Sequence, residues 1–138
     1  MSRRSLGVIA IIIVLLMAIV ATAGLDNLPR QLRASVAAES SQLQSARATF
    51  DQNRKAVEQA LSGDPELFGA RASDFRQRLD RASAGLVSAG AELSTLQQLA
   101  KANRRADADK VRQELSRLDS IRAPPVSESA AVRAEVEK

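Results

Sequence analysis

The sequence predicts an all-α protein: a single N-terminal transmembrane helix, then a long antiparallel, coiled-coil-like helical hairpin with a short third helix. Residues 6–25 carry no charge, residues 65–102 repeat apolar side chains in a 3-4 heptad pattern, and Gly and Pro cluster at the joints. The predicted domains are a short basic cytoplasmic N-terminus (1–5), the transmembrane helix (6–25), an extramembrane helical domain (26–122) and a polar C-terminal tail (123–138).

Residues 6–25 are long enough to cross a bilayer as a helix. The run holds twenty consecutive uncharged residues, and Thr22 is its only polar side chain. At about 1.5 Å per residue, such a helix spans the roughly 30 Å hydrocarbon layer. Arg3 and Arg4 precede it, and positive flanking charge favours a cytoplasmic N-terminus. The sequence therefore predicts a signal-anchored, single-pass protein of the cell (inner) membrane with a periplasmic or extracytoplasmic domain.

A cleaved secretory signal is the alternative interpretation of this stretch. Ala21, Thr22 and Ala23 match an A-x-A cleavage site before Gly24. The apolar run is longer than the usual signal core of about 7–15 residues, which favours retention. Cleavage would instead release a secreted or periplasmic helical adaptor or chaperone.

Residues 28–62 are predicted to form the first helix of the hairpin. Asp26 or Asn27 can cap it, and Pro29 suits its first turn. Apolar side chains recur every seven residues, which predicts a narrow packing seam. The seam positions are Val36, Leu43, Phe50 and Val57. The alternate positions are weaker, namely Glu39, Ala46, Asn53 and Ala60.

A turn is predicted between the two hairpin helices. Gly63 would cap the first helix in a left-handed conformation, and Asp64 would cap the second. Pro65 suits the first helical position, and Glu66 favours the positive end of the helix dipole. These signals predict a tight reversal at Gly63 and Asp64.

The second helix, over residues 65–102, has a sharper seam held for more than four heptads. Its large apolar members are Phe68, Phe75, Leu79, Leu86, Leu93 and Leu96. Gly85 and Gly90 interrupt it, and each costs about 1 kcal/mol relative to Ala. Close approach of another helix would compensate that cost, although simple tolerance of weak helix formers also accounts for it.

Folding these helices about the turn predicts a register in which both seams are used. Phe50 then faces the turn that holds Phe75 and Leu79, and Leu43 lies near Leu86. The hairpin is about 50 Å long, and its second helix returns to the membrane. The seam can serve as the core of the hairpin, as a surface for a partner helix, or as both at once, since so thin a seam rarely supports a small domain alone.

A third helix is predicted over residues 107–122, and it is expected to pack back along the hairpin. Val111, Leu115, Leu118 and Ile121 form its apolar stripe, which is displaced by one position from the preceding heptad. Asn103 could end the second helix and Asp107 could cap the third, but one long helix is also compatible with the pattern. The sequence Ala-Pro-Pro at 123–125 predicts that the third helix stops there and that an extended or weakly helical tail follows.

The composition argues against an enzyme. The chain contains no His and no Cys, which removes the commonest general base, the commonest metal ligands and the thiol nucleophile. We therefore predict no catalytic, cofactor-binding or metal-binding residues and no small-molecule substrate. Nucleic-acid binding is also disfavoured, because no exposed aromatic residue accompanies the Arg group at 71–81.

One basic cluster lies where the hairpin is predicted to meet the membrane. The second hairpin helix is predicted to end near the membrane surface, and its last residues and the following turn contain Lys101, Arg104 and Arg105. We predict that they contact anionic headgroups, at about 1 kcal/mol per charge near the surface. A solvated loop is the competing interpretation.

These observations predict a protein that works by contact. It would be a scaffold, tether or accessory structural subunit of a larger membrane complex, and an energy-converting complex is one candidate. Its expected partners are membrane lipid and either other subunits of the complex or further copies of this chain, through helix packing.

Overall fold

The computed structural model describes residues 26–138, and the regular structure in this range is entirely helical. The elements are α1 (Arg30–Gly63), α2 (Pro65–Phe68), α3 (Arg71–Ala102), a 3-10 turn (Arg105–Asp107) and α4 (Ala108–Val136). The three long helices α1, α3 and α4 pack against one another as a three-helix bundle. The predicted all-α class, built from long packed helices, is thus confirmed.

The membrane span predicted at residues 6–25 lies outside the described residues, as do residues 1–5 and the alternative cleavage site. Within residues 26–138, no helix combines the length and the apolar composition that crossing a membrane requires.

Side-chain contacts define the directions of the three long helices. Arg54 pairs with Asp80 and Glu58 with Arg76, so α1 and α3 are antiparallel. Arg122 contacts Glu39, and further along both helices Arg133 contacts Asn53, so α4 runs parallel to α1. Helix α4 therefore crosses the whole length of the hairpin and packs on both of its helices.

The core contains the complete seam that was predicted from the heptad spacing. Its ten members are Val36, Leu43, Phe50, Val57, Phe68, Phe75, Leu79, Leu86, Leu93 and Leu96, and all of them are buried. They belong to one cluster with Val111, Leu118 and Val132 of α4. Packing within the chain therefore covers this seam and leaves none of it for a partner helix.

The predicted tight reversal at Gly63 and Asp64 is wrong. The Asp64 side chain accepts a hydrogen bond from Leu67 N at 3.2 Å and so caps α2, a single helical turn that begins at Pro65. The left-handed residue of the connection is Gly69 (φ +50°), not Gly63. A glycine is suited to that backbone conformation because it has no Cβ. The connection is longer than predicted because it contains this extra helical turn.

The longer connection also corrects the predicted register. In the Arg54–Asp80 and Glu58–Arg76 pairs the residue numbers sum to 134, which centres the hairpin on residue 67. In the predicted register the residue numbers of facing positions sum to about 127, which is smaller by about seven, or one heptad. Because the seam repeats every seven residues, a shift of one heptad leaves the same positions facing each other.

The predicted end of the third helix at residue 122 and the predicted tail at 123–138 are also wrong. Helix α4 continues through Pro124 and Pro125 to Val136. A proline inside a helix removes one backbone hydrogen bond and crowds the carbonyl four residues earlier. Here Pro125, Val132 and Val136 are buried in the bundle, and this burial offsets that cost.

Gly85 is the residue of α3 that receives Pro125. A Cβ built on Gly85 would lie 2.9 Å from Pro125 Cγ, which is closer than side chains approach in practice. The close helix approach predicted around Gly85 is therefore present, and its partner is α4. By contrast, a Cβ on Gly90 would meet only the guanidinium of the exposed Arg47.

This difference predicts opposite effects for two identical substitutions. Gly85→Ala is expected to lower the free energy of unfolding, because overpacking against a rigid buried ring costs about 1–3 kcal/mol and outweighs a helix-propensity gain of about 1 kcal/mol. Gly90→Ala, the matched control, is expected to leave stability unchanged or raise it by up to about 1 kcal/mol, because the Arg47 side chain can move. Urea unfolding of the full-length chain, followed by circular dichroism, measures both. Equal effects at the two positions would contradict the Gly85–Pro125 contact.

Candidate functional site

The end of the bundle nearest the N-terminal apolar run is held by a contact between Leu28 and Asn103. Leu28 is buried, with 1% of its surface exposed, and its backbone N–H donates to Asn103 Oδ1 at 3.1 Å. Asn103 ends α3 in the left-handed conformation (φ 53°), so the prediction that it ends the second helix is confirmed. The chain is therefore attached to the bundle three residues after the predicted span ends.

Helix α1 begins without a side-chain cap. The prediction that Asp26 or Asn27 caps it is wrong: Pro29 occupies the capping position, and its carbonyl accepts hydrogen bonds from Leu32 N at 3.0 Å and Arg33 N at 3.2 Å. The first turn of α1 contains no acidic residue. Positive charge therefore accumulates at a helix end that already carries a positive partial charge.

Three arginines from two parts of the chain line one cavity at this end. The cavity has a volume of 500 Å³ and is here called the basal cleft. Its lining residues are Asn27, Leu28, Pro29, Arg30, Arg33 and Arg105. Among residues 26–138, no carboxylate lies within 4.0 Å of the guanidinium nitrogens of these arginines. The cleft is thus a concentration of positive charge without an ion-pair partner in the described part of the chain.

The three residues predicted to contact headgroups have different environments. Arg105 lines the basal cleft, and Lys101 is exposed in the last turn of α3. Arg104 Nε donates to Asp107 Oδ2 at 3.2 Å, and Asp107 makes no capping bond to α4, contrary to its predicted role. The structure thus brings Arg105 together with two arginines that the sequence analysis did not select.

Arg30 and Arg33 could have been identified from their spacing in the sequence. They lie three residues apart, directly after the apolar run, and a helix places such residues on one face. Their proximity to Arg105 cannot be predicted from the neighbouring sequence, because it depends on where α3 ends.

An ion pair between the buried Glu39 and the partly exposed Arg122 joins α1 to α4. The Arg122 guanidinium donates to the Glu39 carboxylate, and it also pairs with Asp119 at 3.1 Å. Burial raises the pKa of the Glu39 carboxyl from 4.5 to about 7, and Asp119 acts in the same direction. The positive charge of Arg122 opposes this shift. Glu39 therefore changes its charge near neutral pH in the folded protein.

The raised pKa of Glu39 predicts a pH dependence of stability. Between about pH 4.5 and 7 the unfolded chain releases the Glu39 proton while the folded chain retains it. The folded state then binds more protons, so the contribution of Glu39 to the free energy of unfolding falls as the pH rises through this window and is level above it. Urea unfolding across pH 4–8 measures the trend. Subtracting the profile of Glu39→Gln isolates this contribution, and a difference that does not vary with pH would contradict the assignment.

A second buried polar contact lies further along the same pair of helices. Asn53 Nδ2 donates to Ser129 Oγ at 3.0 Å, and Ser129 Oγ donates to the Val126 carbonyl at 2.7 Å. Arg133 Nη1 donates to Asn53 Oδ1 at 3.2 Å. These groups satisfy one another inside the core, where an unpaired polar group is costly. Together with the Glu39–Arg122 pair, they favour one register of α4 on α1.

A shallow groove runs along the outside of the bundle between α3 and α4. It has a volume of 660 Å³, and Gly85, Ile121 and Pro125 are among its lining residues. At its edge, Arg78 pairs with Glu128 at 2.6 Å and with Glu135 at 3.0 Å. The hydrogen bond to Glu128 raises the pKa of Arg78 above its ordinary value, so Arg78 stays charged. The charges on this edge are therefore used to hold α4 on α3.

No family model, curated protein or solved structure matches this chain. Within residues 26–138, no group of three or more carboxylates is arranged to hold a metal ion. The features of the described residues that bear on function are therefore the three-helix bundle and the basal cleft at its end.

Proposed function

We propose that the chain is a non-enzymatic, single-pass membrane protein whose three-helix bundle acts as a rigid scaffold, tether or accessory subunit of a larger membrane complex. Residues 6–25 would span the membrane, and the bundle would stand on its surface. The observation that carries this proposal is the attachment of Leu28 to Asn103, because it leaves residues 26 and 27 as the only link between the apolar run and the bundle. A link this short holds the bundle close to the bilayer.

The dimensions of the bundle support a spacing role. Helix α1 has 34 residues and is therefore about 51 Å long. Helix α4 packs along both α1 and α3, and side-chain contacts such as Arg122–Glu39 and Arg78–Glu135 cross between the helices. A bundle cross-connected in this way resists bending. It can present its surface to other subunits at a defined height above the membrane.

We further propose that the N-terminus is cytoplasmic and that the bundle lies on the outer side of the cell membrane. The positive charges of Arg3 and Arg4 support this orientation. The chain has no cysteine, so single introduced cysteines report topology without background labelling. In intact cells, a membrane-impermeant maleimide is expected to label Ser127→Cys, on the exposed surface of α4, and not Ser2→Cys. The reverse pattern would overturn the orientation.

Intact mass combined with membrane fractionation tests the anchor itself. We expect a full-length mass in the detergent-soluble membrane fraction and, after crosslinking in native membranes, a defined complex with other subunits or further copies of the chain. A soluble protein whose mass begins at Gly24 would overturn the proposal. Such a product would support the alternative of a secreted or periplasmic adaptor or chaperone.

A further inference from the structure

We propose that the basal cleft binds the phosphate group of an anionic phospholipid, an inference that rests on the membrane anchor proposed above. Arg30, Arg33 and Arg105 line the same 500 Å³ cavity. Guanidinium groups bind phosphate oxygens through pairs of parallel hydrogen bonds, which makes arginine the residue best suited to phosphate recognition. Three guanidinium groups around one cavity carry more positive charge than a single carboxylate partner would balance.

The start of α1 provides a second and independent reason to expect an anion. This helix of 34 residues begins at the cleft with no side-chain cap and no acidic residue in its first turn. The N-terminus of a long helix attracts anions, because its free N–H groups and its dipole point toward them. Arg30 and Arg33 add like charge to that end. An anion bound in the cleft would offset both unfavourable features at once.

The position of the cleft favours a lipid headgroup over a soluble phosphate. Asn27 and Leu28, which line the cleft, follow the apolar run by only two or three residues. If residues 6–25 span the bilayer, the cleft lies at the depth of the headgroups. The partly exposed Pro29 adds apolar surface beside the arginines, which suits the glycerol backbone that adjoins a lipid phosphate.

Native mass spectrometry of the full-length protein tests the inference. The protein is released from nanodiscs of mixed phosphatidylcholine and phosphatidylglycerol, and the retained lipids are counted. The wild-type chain is expected to retain phosphatidylglycerol preferentially. The variant Arg30→Gln/Arg33→Gln/Arg105→Gln is expected to lose that preference by about tenfold or more, since each charge near the surface contributes a several-fold effect.

A matched variant controls for the loss of net charge. Lys55→Gln/Arg81→Gln/Arg117→Gln removes three exposed positive charges that do not line the cleft, and it is expected to keep the wild-type lipid preference. Equal loss in both variants would overturn the cleft as the site. A chain that binds inorganic phosphate in detergent but shows no preference for phosphatidylglycerol would overturn the lipid assignment.

The same preparation separates failure of this inference from failure of the anchor. Incorporation into nanodiscs depends on residues 6–25, so the triple variant is expected to incorporate as well as the wild type. Incorporation without any lipid preference would overturn only the headgroup site. Failure of the wild-type chain to incorporate at all would overturn the anchor and, with it, the inference.

Discussion

Phe75→Ala is expected to lower the free energy of unfolding by about 3–5 kcal/mol, the usual cost of removing a buried aromatic ring. Phe75 has 2% of its surface exposed. Its ring makes an edge-to-face contact with Phe68 at 6.4 Å between centroids, and the Arg71 guanidinium lies 5.4 Å from the centroid. The substitution removes the apolar burial, the ring pair and the cation–π contact together. Urea unfolding of the full-length chain measures the loss.

Val87→Ala is the control on the same helix. Val87 is 69% exposed, so its truncation is expected to change the free energy of unfolding by no more than about 0.5 kcal/mol. A loss of similar size in both variants would mean that α3 does not present the face containing Phe75 to the core. That result would contradict the arrangement of the bundle.

The part of the fold that followed from the sequence is the part that periodicity determines. Spacing by three and four residues decides which face of a helix is apolar, and an apolar face must be buried against another helix. The seam residues of α1 and α3, from Val36 to Leu96, are therefore identifiable without knowledge of their partners. The third helix was predicted to pack back along the hairpin, but only as far as residue 122, so the burial provided by the second half of α4 was missed.

The extension of α4 shows how tertiary packing overrides a local rule. Val111, Leu118, Pro125 and Val132 are spaced by seven, so the heptad continues through the two prolines. Proline is unfavourable inside an isolated helix, and this local rule is what predicted an end at residue 122. In the bundle, however, Pro125 fills the space left by Gly85 on α3. The heptad spacing indicated that the helix continues, but whether it outweighs the cost of the prolines depended on the contact of Pro125 with Gly85, forty residues earlier.

The basal cleft illustrates a different limit. The basic character of Arg104 and Arg105 and their return toward the start of the domain follow from the lengths of the hairpin helices. Whether each arginine is free or paired does not, because it depends on individual rotamers and short turns. Arg104 is held by Asp107, whereas Arg105 joins Arg30 and Arg33 in the cleft. Whether an arginine is paired or lines the cleft is therefore determined by contacts between segments that are distant in sequence.

Arg122→Met is expected to lower the free energy of unfolding by about 3–5 kcal/mol at pH 8, as is typical when one partner of a buried ion pair is removed. Arg122 and Glu39 both lie at positions that continue the apolar heptads of α4 and α1, and their side chains are 20% and 8% exposed. Without Arg122, the Glu39 carboxylate is left in the core with no cation to compensate its loss of hydration. Urea unfolding of the full-length chain measures the effect.

The double variant Glu39→Leu/Arg122→Met completes the test. Two apolar side chains can replace a buried ion pair at little cost, so the double variant is expected to be clearly more stable than Arg122→Met alone. Additive losses would instead mean that the two side chains contribute independently and do not form a pair.

The cost of Arg122→Met should also depend on pH, because the charge of Glu39 does. Below about pH 7 the Glu39 carboxyl retains its proton in the folded wild-type chain, so there is less negative charge for Arg122 to compensate. The destabilisation by Arg122→Met is therefore expected to be smaller at pH 5.5 than at pH 8. In the double variant this pH dependence should disappear, since no carboxyl remains at position 39. A cost that is the same at both pH values would show that Arg122 stabilises the bundle through packing of its aliphatic stem and its contacts with Asp119 and Gln42, and not through the charge of Glu39.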